Sequence, residues 1–594
     1  MNEVHILPPE IVSKIAAGEV IERPASVIKE LMENSFDAGT QTIELYVEQA
    51  GKTLIRLKDS GGGISSDDIE KIFNRHATSK LSQIDDLFNI RSLGFRGEAL
   101  YSIAAVADVI VKSKTKNADA GREIHVRGGK RLSLKPAGVP DGTEIEVREL
   151  FFNTPARRKF LKSNTTEINQ ILNIFIPYAL LFPQIRFHLK HQDKVLLDLP
   201  PVKNDRERAG ATLNLDAAHI LKAHHDQPER ELSIKMLLGD MNIVRSRRDM
   251  QFVFVNGRPV QSKSISYHMN DVYRLILPPG QVPFFALFIN IPPGDVDANI
   301  HPTKREVKIS DEQDICSLLR RICEKTLMEQ GEAKDVTERI EVTGSQKLVN
   351  KALREAAPAD RLDGVLTDSF EAASNPAQRR VSEQYSFPQA DFSPQVSEHL
   401  FGAKQDSLKG KLSAGRFIGG FMNKFLLFEA GASMLVIDQH AAQERISFEH
   451  LIAQMEKGKV EAQQLLSPYV LRLTPQELLA WEEARDRLAT IGFATDQFDP
   501  ETIAVNTYPV LLKDPEQAVR EILSGGDAAR CDHETLARRA CRASVMAGDP
   551  LNAQQAEYMR EQLLACKDPF TCPHGRPTVV EIKESFLNKQ FLRL

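Results

Sequence analysis

A mixed α/β fold divided over more than one domain is what this sequence predicts, and three observations predict it. Helical and strand periods alternate densely from residue 1 to about 330. Between Glu355 and His399 that periodicity stops, and Pro358, Pro376, Pro388 and Pro394 mix with Ser, Gln, Ala and paired charges, the composition of a flexible linker. Regular structure then restarts with Phe425-Leu426-Leu427-Phe428 and Met434-Leu435-Val436-Ile437 and continues to Leu594. The 594 residues correspond to about four units at the usual domain size, so two to four domains are expected. No fixed-period repeat is present, which argues against solenoids and propellers.

With 42% hydrophobic and 26% charged residues the chain has material for buried cores and is not disordered overall. Its longest apolar runs, Ile174 to Phe182 and Phe284 to Ile291, fall short of the roughly 18 residues a membrane span needs. The opening Met1-Asn2-Glu3-Val4-His5 lacks the basic start and apolar core of a secretory signal, so a cytoplasmic location is expected. Six cysteines without a CxxC pair do not form a disulfide framework. Net charge is −5, from 76 Lys+Arg against 81 Asp+Glu, and any nucleic-acid contact must come from a local basic surface such as Arg245, Arg247 and Arg248.

Ser26 to Phe36 reads as a helix after Pro24, with Val27, Ile28, Leu31 and Met32 on one face. Glu30 and Asn34 stack one turn apart, a carboxylate and a carboxamide suited to general-base work on water beside an oxygen ligand for Mg²⁺. Such a pair is more often simply solvated. Thr53 to Asp59 alternates as a strand with Ile55, Leu57 and Asp59 on one face, and the acid at the end of an apolar face needs a partner. Ser60-Gly61-Gly62-Gly63-Ile64 follows, permitting a tight turn and close backbone approach to a ligand. Leu93-Gly94-Phe95-Arg96-Gly97-Glu98-Ala99-Leu100 is a glycine segment feeding a helix N-terminus, which favours phosphate. Taken singly, these are also ordinary strand ends and helix caps. Gly51-Lys52-Thr53 is not a P-loop, because Tyr46 stands where the leading glycine would be.

In order, Glu30 to Ala38, Asp59 to Gly63, Arg75-His76-Ala77-Thr78-Ser79-Lys80, Gly94 to Leu100 and Gly142-Thr143 resemble the GHKL ATPases. The third and fourth pieces look like the MutL mismatch-repair family in particular. Val255-Asn256-Gly257-Arg258-Pro259 and Asn299 to Val307 carry the similarity to about residue 330. The resemblance implies an N-terminal α/β sandwich that binds ATP and Mg²⁺, followed by an S5-like α/β domain. It makes Glu30 the general base, Asn34 the Mg²⁺ ligand and Asp59 the acceptor for the adenine amino group. Gly61, Gly63, Gly94 and Gly97 would shape the pocket and phosphate lid, with Asp37, Thr78, Ser79, Phe95 and Arg96 as further nucleotide contacts. Thr143 would support the base, and Lys304 would reach the γ-phosphate.

In the C-terminal region, Asp438-Gln439-His440-Ala441-Ala442-Gln443-Glu444 follows a strand and opens a helix whose apolar stripe is Ala441, Phe448, Leu451, Ile452 and Met455. His440 and Glu444, four apart, have the spacing of a zinc ligand pair, although most such pairs are surface contacts. Ala540-Cys541-Arg542 and Cys572-Pro573-His574-Gly575-Arg576-Pro577 add thiols and an imidazole, a plausible N/S/O set for Zn²⁺ or Mn²⁺. Buried cysteines and a loop histidine are the plainer alternative. Together the three segments look like the endonuclease-bearing MutL branch, whose C-terminal domain dimerises and nicks DNA. On that resemblance His440, Glu444, Cys541, Cys572 and His574 are metal ligands and Asp438 is catalytic, ligating or orienting. Gln463-Gln464-Leu465-Leu466-Ser467-Pro468, read as a loop entering a strand, is similar to the family's sliding-clamp peptides.

The expected domains are an ATPase domain over 1–210, an S5-like domain over 211–335, a linker over 336–410 and a dimerisation and endonuclease domain over 411–594. The expected function is DNA mismatch repair: an ATP-driven clamp that acts on double-stranded DNA with a MutS-type partner, forms a homodimer and nicks DNA with metal. A sensor kinase would need a phosphoacceptor helix ahead of Glu30, where only 29 residues stand. A type II topoisomerase subunit would continue into an acidic cleavage domain, and a chaperone would not explain the C-terminal set. A matchmaker whose metal is only structural stays open.

Overall fold

The computed structural model describes residues 21–75, 77, 98–245, 247–274, 276–277, 281–297, 308–329, 402–512, 514–524, 531–542, 551–591 and 593. The expected contacts Thr78, Ser79, Gly94, Phe95, Arg96, Gly97 and Lys304 lie outside the described residues, as does 336–401 of the expected linker. Helix Gly402–Ala414 begins ahead of the expected limit at 411. The chain divides into two compact units, Met1–Leu327 with Gln443–Met546, and Met328–Ala442 with Ala547–Leu594. Among the described residues no helix is long and apolar enough to cross a membrane.

Among the described residues, the first unit opens with helix α1 (Pro24–Asp37), which starts at a proline whose missing N–H costs nothing in the first turn. An eight-stranded sheet follows, from β1 (Thr42–Glu48), β2 (Leu54–Asp59), β3 (Asp108–Lys114), β4 (Gly121–Arg127), β5 (Lys130–Ala137), β6 (Gly142–Arg148), β7 (Arg186–His191) and β8 (Lys194–Leu199). Their order is β5-β4-β3-β6-β2-β1-β7-β8. The β1–β7 pairing is parallel and the others antiparallel.

Alternation sorts the two faces of this sheet. Ile43, Leu45, Val47, Ile55, Leu57, Val109, Val111, Ile145 and Val147 enter the core, with α1 and helices Ala99–Val106 and Asn164–Leu181 contributing to the same cluster. The other face carries crossed charges: Arg56 Nε lies 3.1 Å from Glu146 and Lys112 Nζ lies 3.0 Å from Glu144.

A five-stranded sheet follows in the order Arg258–Val260, Gln251–Val255, Phe285–Asn290, Leu232–Gly239, Ile220–Gln227. It is apolar on both faces. Ile234, Met236, Val253, Phe285 and Leu287 pack with Ile265 and Met269 of helix Lys263–Tyr273 and with Ile315 and Leu319 of the helix over 312–329. Leu237, Phe254, Ala286 and Phe288 join the core of the eight-stranded sheet. Residues 443–546 add a three-stranded sheet and its own apolar core, in which Trp481 donates to Thr495 Oγ1 at 2.8 Å. Helix Pro475–Ile491 there has a capping box between Thr474 and Glu477.

The second unit is built on a four-stranded antiparallel sheet in the order Arg416–Phe421, Phe425–Ala430, Ser433–Asp438, Val579–Lys583. Leu426, Phe428, Leu435, Ile437 and Val579 are buried on one face. The other face is also apolar: register places Leu427 beside Val436 and Val436 beside Val580, with Met434 beside Ile582. Val580 is 50% exposed. The fold is therefore mixed α/β throughout, as the sequence predicts.

Candidate functional site

Strand register assembles the first site. Asp59 pairs with Thr143 across β2 and β6, and Ser113 pairs with Thr143 across β3 and β6, so three polar residues form one row on the core face at one end of the sheet. Asp59 is only 7% exposed. Ser35 Oγ, one turn past Leu31 on α1, donates to Asp59 Oδ2 at 2.9 Å, and the Gly61 N–H donates to Oδ1 at 2.9 Å. Burial nonetheless holds the Asp59 carboxyl above its usual range, outweighing these bonds and one from the Thr143 backbone. A buried carboxylate whose ionised form remains penalised is suited to a further hydrogen-bond donor.

The backbone here leaves no room for side chains. Gly63 has φ +71°, and a Cβ on it would fall 2.2 Å from the Lys114 carbonyl oxygen; a Cβ on Gly142, φ +113°, would fall 2.1 Å from that of Asp59. Ser113 fixes the turn from inside. Its Oγ accepts from the Ile64 N–H at 2.8 Å, donates to the Gly142 carbonyl at 2.9 Å and lies 2.9 Å from Thr143 Oγ1. Glu30 and Asn34 are half-buried and share a face of α1, while Asp37, at the helix end, is exposed. The structure thus brings Asp59, Gly61, Gly63 and Thr143 together at the sheet end. Gly51-Lys52-Thr53 forms the β1–β2 turn, with Lys52 Nζ on the Lys162 carbonyl at 2.6 Å.

Ser35, Ser113, Glu33 and Tyr178 were not singled out from sequence. Ser35 lies between Asn34 and Asp37 in a segment already chosen, so helical spacing was a usable signal for it. Ser113 reaches the turn only through strand register, and the buried Glu33 accepts from Tyr178 Oη only through helix packing, neither of which one sequence displays.

The C-terminal candidates are spread over both units. In the second, Asp438 ends its strand, and its Oδ1 accepts from the Ala441 N–H at 2.9 Å, an N-cap for helix Gln439–Glu456. His440 stands in the first turn of that helix. Cys572 and His574 share a tight turn: the Gly575 N–H reaches the Cys572 carbonyl at 2.9 Å, the Cys572 N–H reaches the Arg576 carbonyl at 2.8 Å, and the His574 N–H points at Cys572 Sγ at 3.4 Å. The Cys572 side chain is buried and His574 is exposed. In the first unit, Glu444 and Cys541 are both buried, and burial followed by the Glu444 charge pushes the Cys541 thiol up to about 12. A neutral buried thiol beside a carboxylate becomes a ligand when a cation offsets that charge. Nitrogen, sulfur and oxygen donors of this kind fit Zn²⁺.

Gln463 to Pro468 is part of strand Ala462–Arg472, where pairing breaks between Gln464 and Tyr469. The segment is therefore a bulge within the strand and not a loop before it, and it leaves Leu466 wholly exposed. Arg247 and Arg248 are exposed, whereas Arg245 is half-buried with Nε 3.3 Å from Met250 Sδ.

Comparison with known proteins places three families along the chain. Residues 21–127 match the family described as "Histidine kinase-, DNA gyrase B-, and HSP90-like ATPase". Residues 212–328 match "DNA mismatch repair protein, C-terminal domain", and 418–551 match "MutL C terminal dimerisation domain". A Koribacter versatilis protein called DNA mismatch repair protein MutL is 33% identical, with 100% of both chains covered. A Syntrophotalea carbinolica protein of the same name is 35% identical, again over 100% of both. Among solved structures, the Aquifex aeolicus MutL ATPase domain complexed with ADP is 28% identical over 51% of this chain and 98% of its own, with a TM-score of 0.38.

Proposed function

The chain belongs to the MutL family of DNA mismatch repair proteins, and from that premise we propose that it is an ATP-gated matchmaker whose C-terminal region nicks DNA with bound metal. The GHKL-type ATPase domain supports ATP hydrolysis. The observation that carries the nucleotide half is the buried Asp59, with Ser35 and the Gly61 N–H already bonded to it. Its remaining capacity suits the amino group of adenine. Glu30 would take the proton of the attacking water, and Asn34 would hold Mg²⁺, which supplies charge neutralisation for the phosphates. Lys304 of the S5-like domain would meet the γ-phosphate, Thr78, Ser79 and Gly94 to Gly97 would contribute to the phosphate lid, and Asp37 would be a further nucleotide contact. The domain limits we adopt are 1–210, 211–335, 336–410 and 411–594.

For the nuclease half, His440, Glu444, Cys541, Cys572 and His574 would hold Zn²⁺ or Mn²⁺. Bound metal would lower the pKa of water and stabilise the leaving oxygen of a phosphodiester. Support comes from the buried Glu444 and Cys541 and from the turn that presents Cys572 and His574. Asp438 has one carboxylate oxygen committed to the helix cap, leaving the other for orienting His440 or ligating. That cap also favours a second reading, a matchmaker in which Asp438 is structural and the metal is not catalytic.

Double-stranded DNA is met through exposed cations such as Arg247 and Arg248, alongside a MutS-type protein. The C-terminal dimerisation domain supports a homodimer, and the outer apolar face of the C-terminal sheet, Leu427, Met434, Val436, Val580 and Ile582, is the seam we assign to it. Leu466 in its strand bulge would be the anchor for a sliding clamp. Incubation of the full-length protein with supercoiled plasmid and Mn²⁺ tests the central claim. Nicked circles that vanish with chelator are expected; plasmid left intact with every divalent metal would leave the second reading.

A further inference from the structure

Glu33 is a carboxylate on α1, only 6% exposed, for which the nucleotide chemistry above has no task. Burying an ionisable group is costly unless it is paired, and here the partners are specific. Tyr178 Oη, on helix Asn164–Leu181, donates to Glu33 Oε1 at 2.5 Å, and Lys29 Nζ lies 3.4 Å from the same oxygen. The Tyr178 ring also lies 5.1 Å from the ring of Phe36, which stacks at 4.4 Å on Phe182. One residue of the neighbouring helix therefore grips two positions of α1 three apart, by a hydrogen bond and by ring packing.

The location of Glu33 gives this grip a consequence for chemistry. On an α-helix successive residues turn by about 100°, so Glu33 lies about 60° round from Glu30 on one side and Asn34 about 40° round on the other. Rotation of α1 about its axis moves all three as a body. The phenol also senses the site: burial first, then the charge and hydrogen bond of Glu33, then the charge of Glu30 push Tyr178 well above the ordinary tyrosine range, while Arg258 pulls the other way.

We propose that the Tyr178 hydroxyl and the Glu33 carboxylate are a positioning pair for Glu30, setting the rotation of α1 so that Glu30 faces the attacking water. The proposal rests on Glu30 being the general base. Neither member touches nucleotide; both act through the helix that carries the base. A displacement near 1 Å can cost on the order of 100-fold in rate, so losing one hydrogen bond of the pair is expected to cost about tenfold.

Steady-state ATP hydrolysis by the full-length chain tests this, with Tyr178→Phe, Glu33→Ala, Glu33→Gln and their parent compared beside Glu30→Ala. Tyr178→Phe should lower kcat about tenfold with KM for ATP within about twofold of the parent and an unchanged thermal midpoint, the signature of lost placement rather than lost binding. Glu33→Ala should fall as far, Glu33→Gln should recover most of that loss because it keeps an acceptor for the phenol, and the double variant Tyr178→Phe/Glu33→Ala should be no worse than Glu33→Ala alone. Parental kcat in Tyr178→Phe, a kcat in Glu33→Gln as low as in Glu33→Ala, or a loss that appears in KM would each overturn the pair. If Glu33→Ala does not fold, Tyr178→Phe and Glu33→Gln still decide it. Hydrolysis retained by Glu30→Ala overturns the base assignment beneath it, whereas an inactive Glu30→Ala with a fully active Tyr178→Phe removes only the positioning pair.

Discussion

Asp59 and Asp438 are each the last residue of a strand, Leu54–Asp59 and Ser433–Asp438, yet the two regions use the same local pattern differently. Asp59 turns inward, and beside the local Gly61 N–H it gathers donors distant in sequence: Ser35 from α1 and the Thr143 backbone from β6. Asp438 is half-buried and bonds to its own chain three residues on, as the cap of the helix that follows. In one region helix packing and register bury the strand-end carboxylate among donors, the setting from which we propose that it binds a ligand. In the other it has a structural duty before any catalytic one. The lesson is that position on an element does not assign a role; the number of acceptor sites left after the local bonds are made does.

The largest expected effect anchors the nucleotide side of this contrast. Glu30→Ala should keep ATP binding and lower turnover by about 10²–10⁴-fold, the usual worth of a positioned base, with binding followed by fluorescence of a nucleotide analogue and hydrolysis by phosphate release. Unchanged hydrolysis would place the base elsewhere.

The contrast itself is sharpened by making one substitution in both places. Asp438→Asn should preserve the helix, because asparagine caps as well as aspartate, while Mn²⁺-dependent nicking of supercoiled DNA falls about 10–100-fold, or further if the carboxylate is a direct ligand. ATP turnover by the isolated protein should stay at the parental rate. Full nicking with an unchanged thermal midpoint would leave Asp438 as a cap and nothing more. Cys572→Ser in the same assay should lose zinc, measured by mass spectrometry, together with nicking, since thiolate is the stronger zinc ligand.

The smallest expected effect is on stability, where Asp59→Asn should stabilise the fold rather than weaken it. Burial holds the Asp59 carboxyl above its unfolded value, so the folded state binds that proton more tightly than the unfolded chain. Stability from this group is then present below the unfolded pKa and is lost as pH rises through the folded one. At pH 7 the buried charge is a cost, and removing it should raise the thermal midpoint by a few degrees while weakening ATP binding. The gain should shrink as pH is lowered into the acid range. A midpoint that falls at pH 7 would mean that the bonds from Ser35 and Gly61 outweigh the burial.

Much of the scaffold of the candidate nucleotide site is legible in the chain. Pro24 and the apolar spacing of Val27, Ile28, Leu31 and Met32 predict the helix seen at Pro24–Asp37, and alternation in Ile55, Leu57 and Asp59 places the acid on the core face. The close approaches at Gly63 and Gly142 account for glycine there. Ser113 was not legible: it lies opposite Thr143 only once β3 pairs with β6. The role of Glu33 is not legible in the chain because its partner Tyr178 lies 145 residues away in sequence. In the C-terminal region, Gln463 to Pro468 was misplaced because a strand bulge carries the same proline and polar signals as a loop. The cap at Asp438 follows from an aspartate standing immediately ahead of a helix.

The dimer seam proposed on the C-terminal sheet would also make protein concentration a thermodynamic variable. If Leu427, Met434, Val436, Val580 and Ile582 are covered by the same face of a second copy, unfolding that region also separates two chains. Its free energy then contains a mass-action term that a self-sufficient fold lacks. Dilution alone would lower its melting temperature while leaving the eight-stranded sheet, whose outward face is charged, melting at the same point. A cell that lowers the abundance of this protein would then weaken each remaining copy as well as reducing their number.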